Sequence, residues 1–254
     1  VFALAVLNRG TIEEADRIYA ATRGLWNEVE PVFQALEGKS KAELQTIRET
    51  FHAVYGKDLG EHLKARLTGK DEVKALALLR DGEVSAATQI KLETMGWNFL
   101  GWGTNVDAIQ GALVGKSEEE RSAIRLEYAA HYGDLQADLK GRLSSVAFED
   151  TMSILEKGDL SNAEKLHKAM RGLGADKSAV IEILEGKSLD ELAAIKQDYR
   201  SQYGEELSSR IYSEFWGQVG SQMAILVETG KLELVDKLYF ATSGISYDRT
   251  AIFK

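Results

Sequence analysis

Apolar residues recur at helical spacing through most of the chain, and the segment 188–204 shows this most clearly. Its apolar positions, at intervals of three, four and four residues, are Leu192, Ile195, Tyr199 and Tyr203. Because an α-helix has about 3.6 residues per turn, this spacing places all four on one face. The same intervals separate Leu44, Ile47, Phe51 and Tyr55. Both segments therefore predict helices with one buried stripe, each ended by the glycine after its last tyrosine.

Two sequence markers recur together three times. The phrase Gly-Lys-Ser-x-x-Glu occupies positions 38–43, 115–120 and 186–191, and a Tyr-Gly pair follows each at the same distance. Both markers step by 77 and then by 71 residues. The serine and the glutamate have the spacing of a capping box, which starts a helix. The chain is therefore predicted to be an array of internal repeats.

The third repeat predicts five helices. Asp159 or Ser161 caps the first, Asp176 begins the second, Ser188 begins the third, and the fifth ends at Gly230. The predicted organisation is the tail of an earlier repeat at 1–10, repeats at 11–82, 83–158 and 159–230, and the start of a further repeat at 231–254.

Composition narrows the fold class and excludes several functions. The chain has 254 residues, 44% of them hydrophobic, and its only proline is Pro31, which favours an all-α protein with a large core. A net charge of −9 without a basic run argues against nucleic-acid binding. Without cysteine there is no disulfide or thiolate metal site. No apolar run reaches the length of a membrane span, and residues 1–7 lack the basic region and cleavage motif of a signal peptide.

The repeat pattern resembles the annexin repeat. The fullest match is the segment 169–176, Ala-Met-Arg-Gly-Leu-Gly-Ala-Asp, followed by Ser188 and by Tyr203-Gly204. The resemblance covers essentially the whole chain. It implies an all-α, annexin-type array of five-helix repeats of about 70 residues in a curved right-handed superhelical arrangement.

The resemblance also implies a calcium site in the third repeat. Its ligands would be the backbone carbonyls of Met170, Gly172 and Gly174 and the carboxylate of Glu214. Such hard oxygens are the ligands that Ca²⁺ takes. The simpler alternative is that the two glycines only end a helix and that Glu214 is a solvated surface acid.

The other repeats depart from this pattern at the acid. In the second repeat, Phe99, Gly101 and Gly103 keep the turn, but Arg142 stands at the position of Glu214. A guanidinium repels a cation and cannot coordinate it.

In the first repeat Gly24 begins the turn, no second glycine follows, and Arg66 replaces the acid. We therefore predict no high-affinity site in the first or second repeat. The last, partial repeat offers Thr242, Gly244 and Ser246 as incomplete ligands, and no matching acid follows before Lys254.

The predicted function is calcium-dependent, peripheral binding to anionic phospholipid membranes in the cytoplasm. Trp102 and Leu173, at the tips of their turns, are the expected membrane contacts, with burial against neighbouring helices as the alternative for Trp102. The alternative function is an annexin-like scaffold that works through self-association or protein partners. Because neither a nucleophile motif nor metal-ligand spacing of histidines occurs, we do not expect an enzyme.

Overall fold

Each of the three predicted capping boxes begins the longest helix of its repeat. The side chains of Ser40, Ser117 and Ser188 each accept a hydrogen bond from the backbone N–H three residues later. The glutamate at that later position accepts one from the serine's own N–H. Two N–H groups that would otherwise lack a partner are thereby satisfied at each helix start.

The computed structural model describes residues 13–24, 28–96, 103–171, 174–235 and 238. Up to Gly230, these residues form fifteen helices and no strand. The all-α prediction and the count of five helices per repeat are confirmed for these residues.

The helices follow the same order in every repeat. The first repeat contains α1 Glu14–Thr22, α2 Val29–Leu36, α3 Lys41–Tyr55, α4 Leu59–Arg66 and α5 Gly69–Asp81. The second contains α6 Ala86–Thr94, α7 Val106–Gly111, α8 Glu118–His131, α9 Leu135–Arg142 and α10 Ser145–Lys157. The third contains α11 Asn162–Ala169, α12 Lys177–Leu184, α13 Leu189–Tyr203, α14 Leu207–Glu214 and α15 Gly217–Thr229.

The chain divides into two compact units, 1–159 and 160–254. The second unit has its own hydrophobic core, to which all five helices α11–α15 contribute. The predicted stripe on α13 is buried at Leu192, Ile195 and Tyr199, while Tyr203 is half-buried. On α15 the buried face carries Met223, Leu226 and Val227, so Ile225 points to solvent.

One long-range hydrogen bond recurs in every repeat. The N–H groups of Gly38, Gly115 and Gly186 donate to the carbonyls of Gly82, Gly158 and Gly230 at 2.8, 2.9 and 2.8 Å. We call the three acceptors the closing glycines; each caps the fifth helix of its repeat with a positive φ of 79°, 92° or 66°. A Cβ on Gly230 would lie 2.2 Å from the carbonyl oxygen of Lys187. At Gly230 the repeat thus closes through a backbone contact that leaves no room for a side chain.

Within the described part of the chain, no helix has the length and apolar character needed to cross a membrane.

Candidate functional site

The turn between α11 and α12 carries most of the predicted calcium ligands. The N–H of Met170 donates to the carbonyl of Leu166 at 3.0 Å, and the N–H of Asp176 donates back to the carbonyl of Ala169 at 2.7 Å. These two bonds fix both ends of the turn. Gly174 is exposed within it at a φ of +99°, a left-handed conformation that favours glycine.

The structure describes three of the four predicted ligands of the third repeat. Met170, Gly174 and Glu214 are described, whereas Gly172 and Leu173 lie outside the described residues. The Met170 side chain is buried in the core, which anchors the start of the turn. The backbone carbonyl of the same residue is one of the predicted ligands.

The structure brings the carbonyl of Met170 and the carboxylate of Glu214 to the same nitrogen atom. Nη2 of Arg210 lies 2.8 Å from Oε1 of Glu214 and donates to the carbonyl oxygen of Met170 at 3.3 Å. Glu214 is the last residue of α14, and Arg210 lies one helical turn before it. The two oxygens meet at one positive charge even though 44 residues separate them in sequence. A hard-oxygen set around a cation is the arrangement that calcium would require, so these residues fit the metal.

Sequence reasoning missed Arg210. Its signal was the spacing of four residues from Glu214, which puts both side chains on one face of α14. Its Nε is buried and has no hydrogen-bond partner. The guanidinium thus bridges the site at the expense of one unsatisfied donor.

An aromatic cluster packs against the end of α11, the helix that leads into the turn. The ring of His167 stacks on Tyr203 with centroids 3.8 Å apart, and Nδ1 of His167 lies 3.2 Å from the hydroxyl of Tyr199. Burial raises the pKa of Tyr199, and the nearby negative charge of Glu205 raises it further. Tyr199 therefore stays neutral and holds α11 against α13.

In the first repeat an arginine binds the carbonyls that correspond to the predicted calcium ligands. Nε of Arg66 donates to the carbonyl of Thr22 at 2.5 Å, and Nη2 donates to the carbonyl of Gly24. Arg66 stands at the sequence position that Glu214 holds in the third repeat. The guanidinium of Arg66 is therefore hydrogen-bonded directly to the backbone of this turn.

Arg66 lines a cavity of about 470 Å³ whose walls carry charges of both signs. Its charged neighbours there are Arg23, Lys57, Asp58 and Glu61, and the buried His62 lines the cavity as well. Desolvation lowers the pKa of His62, and the charges of Lys57 and Arg66 lower it further. His62 is therefore held neutral, with its Nε2 2.8 Å from Oγ1 of Thr22.

In the second repeat the corresponding charges are exchanged. Asp138 lies four residues before Arg142, as Arg210 lies four before Glu214, and its Oδ2 is 2.6 Å from Nζ of Lys91. Burial opposes ionisation of Asp138, but hydrogen bonds from Lys91 and Tyr128 bring its pKa below the ordinary value. Arg142 itself is exposed at the end of α9.

Several predicted site residues lie outside the described residues. They are Phe99, Gly101 and Trp102 of the second repeat and Thr242, Gly244 and Ser246 of the last, partial repeat. Gly103 is described and is exposed, with a φ of 105°.

Two exposed aromatic residues flank Glu214. The exposed fractions of Tyr212 and Trp216 are 59% and 84%. Trp216 precedes the first residue of α15, in the short connection that follows Glu214. Sequence reasoning placed membrane contacts only in the turns between first and second helices, and it missed this connection.

Comparisons with known proteins agree with the repeat pattern. The family model described as Annexin matches residues 161–225, which include Met170 and Glu214. Annexin A6 of Gallus gallus is 29% identical over 237 residues, covering 79% of this chain and 35% of that protein. Annexin A13 of Homo sapiens is 33% identical over 134 residues, covering 52% of this chain and 42% of that protein. The chain therefore spans less than half the length of these two relatives.

A solved structure of an annexin A8 mutant aligns with 94% of this chain and 78% of its own, at 23% identity and a TM-score of 0.40. The family match and the two relatives confirm the resemblance drawn from the tripled motif. The matches to the family model and to these relatives indicate an annexin-type protein, with residues 161–225 as the part that the family model matches.

Proposed function

We propose that this chain binds anionic phospholipid membranes in a calcium-dependent, peripheral manner through its third repeat. The observation that carries the proposal is the meeting of the Met170 carbonyl and the Glu214 carboxylate at one positively charged group. Gly172 and Gly174 would supply the further carbonyls, as the family pattern implies. Calcium supplies positive charge that this acidic chain otherwise lacks at a lipid surface.

Met170 and Glu214 have different roles in the proposed binding. Met170 fixes the turn by burying its side chain, so that its carbonyl is held in place. Glu214 contributes the negative charge that carbonyls cannot provide.

Trp216 belongs to the same surface, since only Phe215 separates it from Glu214. We propose that it enters the headgroup region, where tryptophan is favoured. Trp102 and Leu173 remain predicted contacts of the same kind.

The direct test is cosedimentation with phosphatidylserine vesicles over a calcium series. Glu214→Gln keeps the size of the side chain and removes its charge. We expect half-maximal pelleting to need at least roughly 10- to 100-fold more calcium, because replacing even an outer-shell partner of a metal ligand costs about that much in metal affinity.

The matched control is Glu228→Gln. Glu228 is an exposed acid on α15 that pairs with Lys196 at 2.7 Å, outside the site. It should pellet as the wild type does. Equal pelleting of Glu214→Gln and wild type would refute the site.

A scaffold function is the second candidate. It is favoured by Arg66, whose contacts hold the first-repeat turn without a metal, and by Arg142 at the acid position of the second. If the wild type does not pellet at millimolar calcium, the weak end for calcium modules, this candidate replaces the first. Sedimentation velocity would then test self-association.

A further inference from the structure

We propose that Arg210 is an internal competitor of calcium at the third-repeat site. This inference rests on the proposed function, and it adds a residue that sets the calcium affinity. In the structure the guanidinium holds the two oxygens that a calcium ion would need. The ion therefore binds only when Arg210 leaves.

Position and charge together support the competition. Nη2 of Arg210 contacts the Glu214 carboxylate and the Met170 carbonyl at once, so it lies between them. A guanidinium and a divalent cation repel each other at such distances. Both cannot share these ligands in this position, because one nitrogen atom already occupies the space between the two oxygens.

The first repeat shows that this chain uses a guanidinium to hold the same turn. Arg66 reaches the carbonyls of Thr22 and Gly24, which correspond to those of Met170 and Gly172. It does so from a different sequence position, that of Glu214 rather than Arg210. Two arginines on different turns of the fourth helix thus converge on one place in the repeat. Only the third repeat keeps a carboxylate there, so only that guanidinium faces competition from calcium.

The position in which Arg210 contacts Glu214 and Met170 costs free energy, and this cost favours release of the side chain. Its Nε is buried without a hydrogen-bond partner, whereas water would satisfy this donor outside the site. The side chain nevertheless keeps 29% of its surface exposed, so it has a path to solvent. The guanidinium is therefore a displaceable occupant.

Competition of this kind lowers the apparent affinity without changing the ligands. The apparent dissociation constant equals the intrinsic constant divided by the fraction of molecules whose site is open. If Arg210 occupies the site about nine-tenths of the time, its removal tightens calcium binding about tenfold.

The test is a calorimetric titration of the full chain with calcium alone, comparing wild type, Arg210→Gln and Arg200→Gln. Arg200 is an exposed arginine that pairs with Glu206 at 2.8 Å, so its loss gives the same change in net charge. We expect Arg210→Gln to bind calcium about tenfold more tightly than wild type, and Arg200→Gln to change binding less than about twofold.

Two further measurements separate competition from a loss of folding. Arg210→Lys keeps the charge but replaces the fork with a single ammonium group, and it should give an intermediate affinity. In ¹⁵N spectra of the wild type, calcium should shift the Nε–H signal of Arg210 and leave that of Arg200 in place. Circular dichroism establishes that each variant is folded.

The outcomes distinguish this inference from the proposed function. Calcium binding by wild type with unchanged affinity in folded Arg210→Gln would overturn the competition and leave the proposed function intact. Binding only by Arg210→Gln would support competition in its strongest form. Absence of calcium binding in both proteins would overturn the inference together with the function on which it rests.

Discussion

Trp216 keeps 84% of its surface exposed, although tryptophan is usually packed against other residues. Neighbouring residues therefore cover little of this side chain, and the candidate ligand Glu214 is two residues away. A large apolar side chain beside a proposed calcium site is suited to the boundary between lipid headgroups and water. Its exposure gives the proposed membrane surface an anchor besides the metal.

Replacement of this anchor should weaken lipid binding and leave calcium binding alone. We expect Trp216→Ser to reduce affinity for phosphatidylserine vesicles about tenfold at saturating calcium, since burying one large apolar side chain contributes about 1.5–3 kcal/mol. Calorimetry without vesicles should give wild-type calcium affinity. Leu126→Ser, which replaces an apolar residue 73% exposed on α8, is the control and should bind vesicles normally. Equal vesicle affinity of Trp216→Ser and wild type would exclude Trp216 from the interface.

The sequence proposes candidate site residues but says little about their contacts. Met170 and Glu214 follow from a motif as candidates, because a repeat fixes which positions correspond, and their role as ligands stays a prediction. The role of Arg66 was predicted only as repulsion of a cation, whereas the structure shows its guanidinium bonded to the carbonyls of Thr22 and Gly24. Arg210 was missed, because the reach of a long flexible side chain leaves no mark in the spacing of apolar residues.

At the scale of whole elements, helix starts were the most predictable features. The capping boxes at Ser40, Ser117 and Ser188 form as expected because all their atoms lie within three residues of one another. The bond from Gly186 to Gly230 could not be predicted in the same way, since its partners are far apart in sequence. Sequence reasoning identified Gly230 only as a helix end.

The closing glycines should tolerate substitution less than glycines that only end a helix. Gly204 and Gly230 both end helices with positive φ, at 71° and 66°, but only Gly230 lacks space for a Cβ. We expect Gly204→Ala to lower the free energy of unfolding by about 1–2 kcal/mol, the penalty of the left-handed conformation. Gly230→Ala should lose roughly a further 1–3 kcal/mol, as overpacking adds to it.

Urea unfolding of both variants, followed by circular dichroism, measures the difference. Similar losses in the two variants would mean that the backbone around Lys187 gives way at little cost. The comparison holds the change of residue and the sign of φ constant, so it isolates the contact with the Lys187 carbonyl.

At the scale of the whole molecule, the third repeat has what an independent unit needs. Its buried residues form one cluster, drawn from all five helices α11–α15. The unit that contains it, 160–254, also holds Met170, Gly174 and Glu214, the proposed ligands that the structure describes. The candidate site and the core that supports it thus lie on one unit.

A fragment of residues 160–254 should therefore fold alone. We expect a helical circular-dichroism spectrum and a single cooperative thermal transition, because small single domains usually unfold in one step. A broad, non-cooperative melt would show that the core needs the first unit. If the fragment folds, a calcium titration of it tests whether the site needs only this unit.

The bond between each Gly-Lys-Ser turn and its closing glycine also separates a fixed part of the repeat from a variable one. The bonded pairs, Gly38 with Gly82, Gly115 with Gly158, and Gly186 with Gly230, lie 44, 43 and 44 residues apart. From each of the first two closing glycines to the next such turn the chain runs 33 and then 28 residues. Insertions and deletions have thus accumulated almost entirely outside the bonded loops, in the segments that carry the first two helices and the turn between them. The turn between the first two helices can therefore change in length or shape without breaking these glycine-to-glycine hydrogen bonds. Grafting a different loop into this turn has the same freedom.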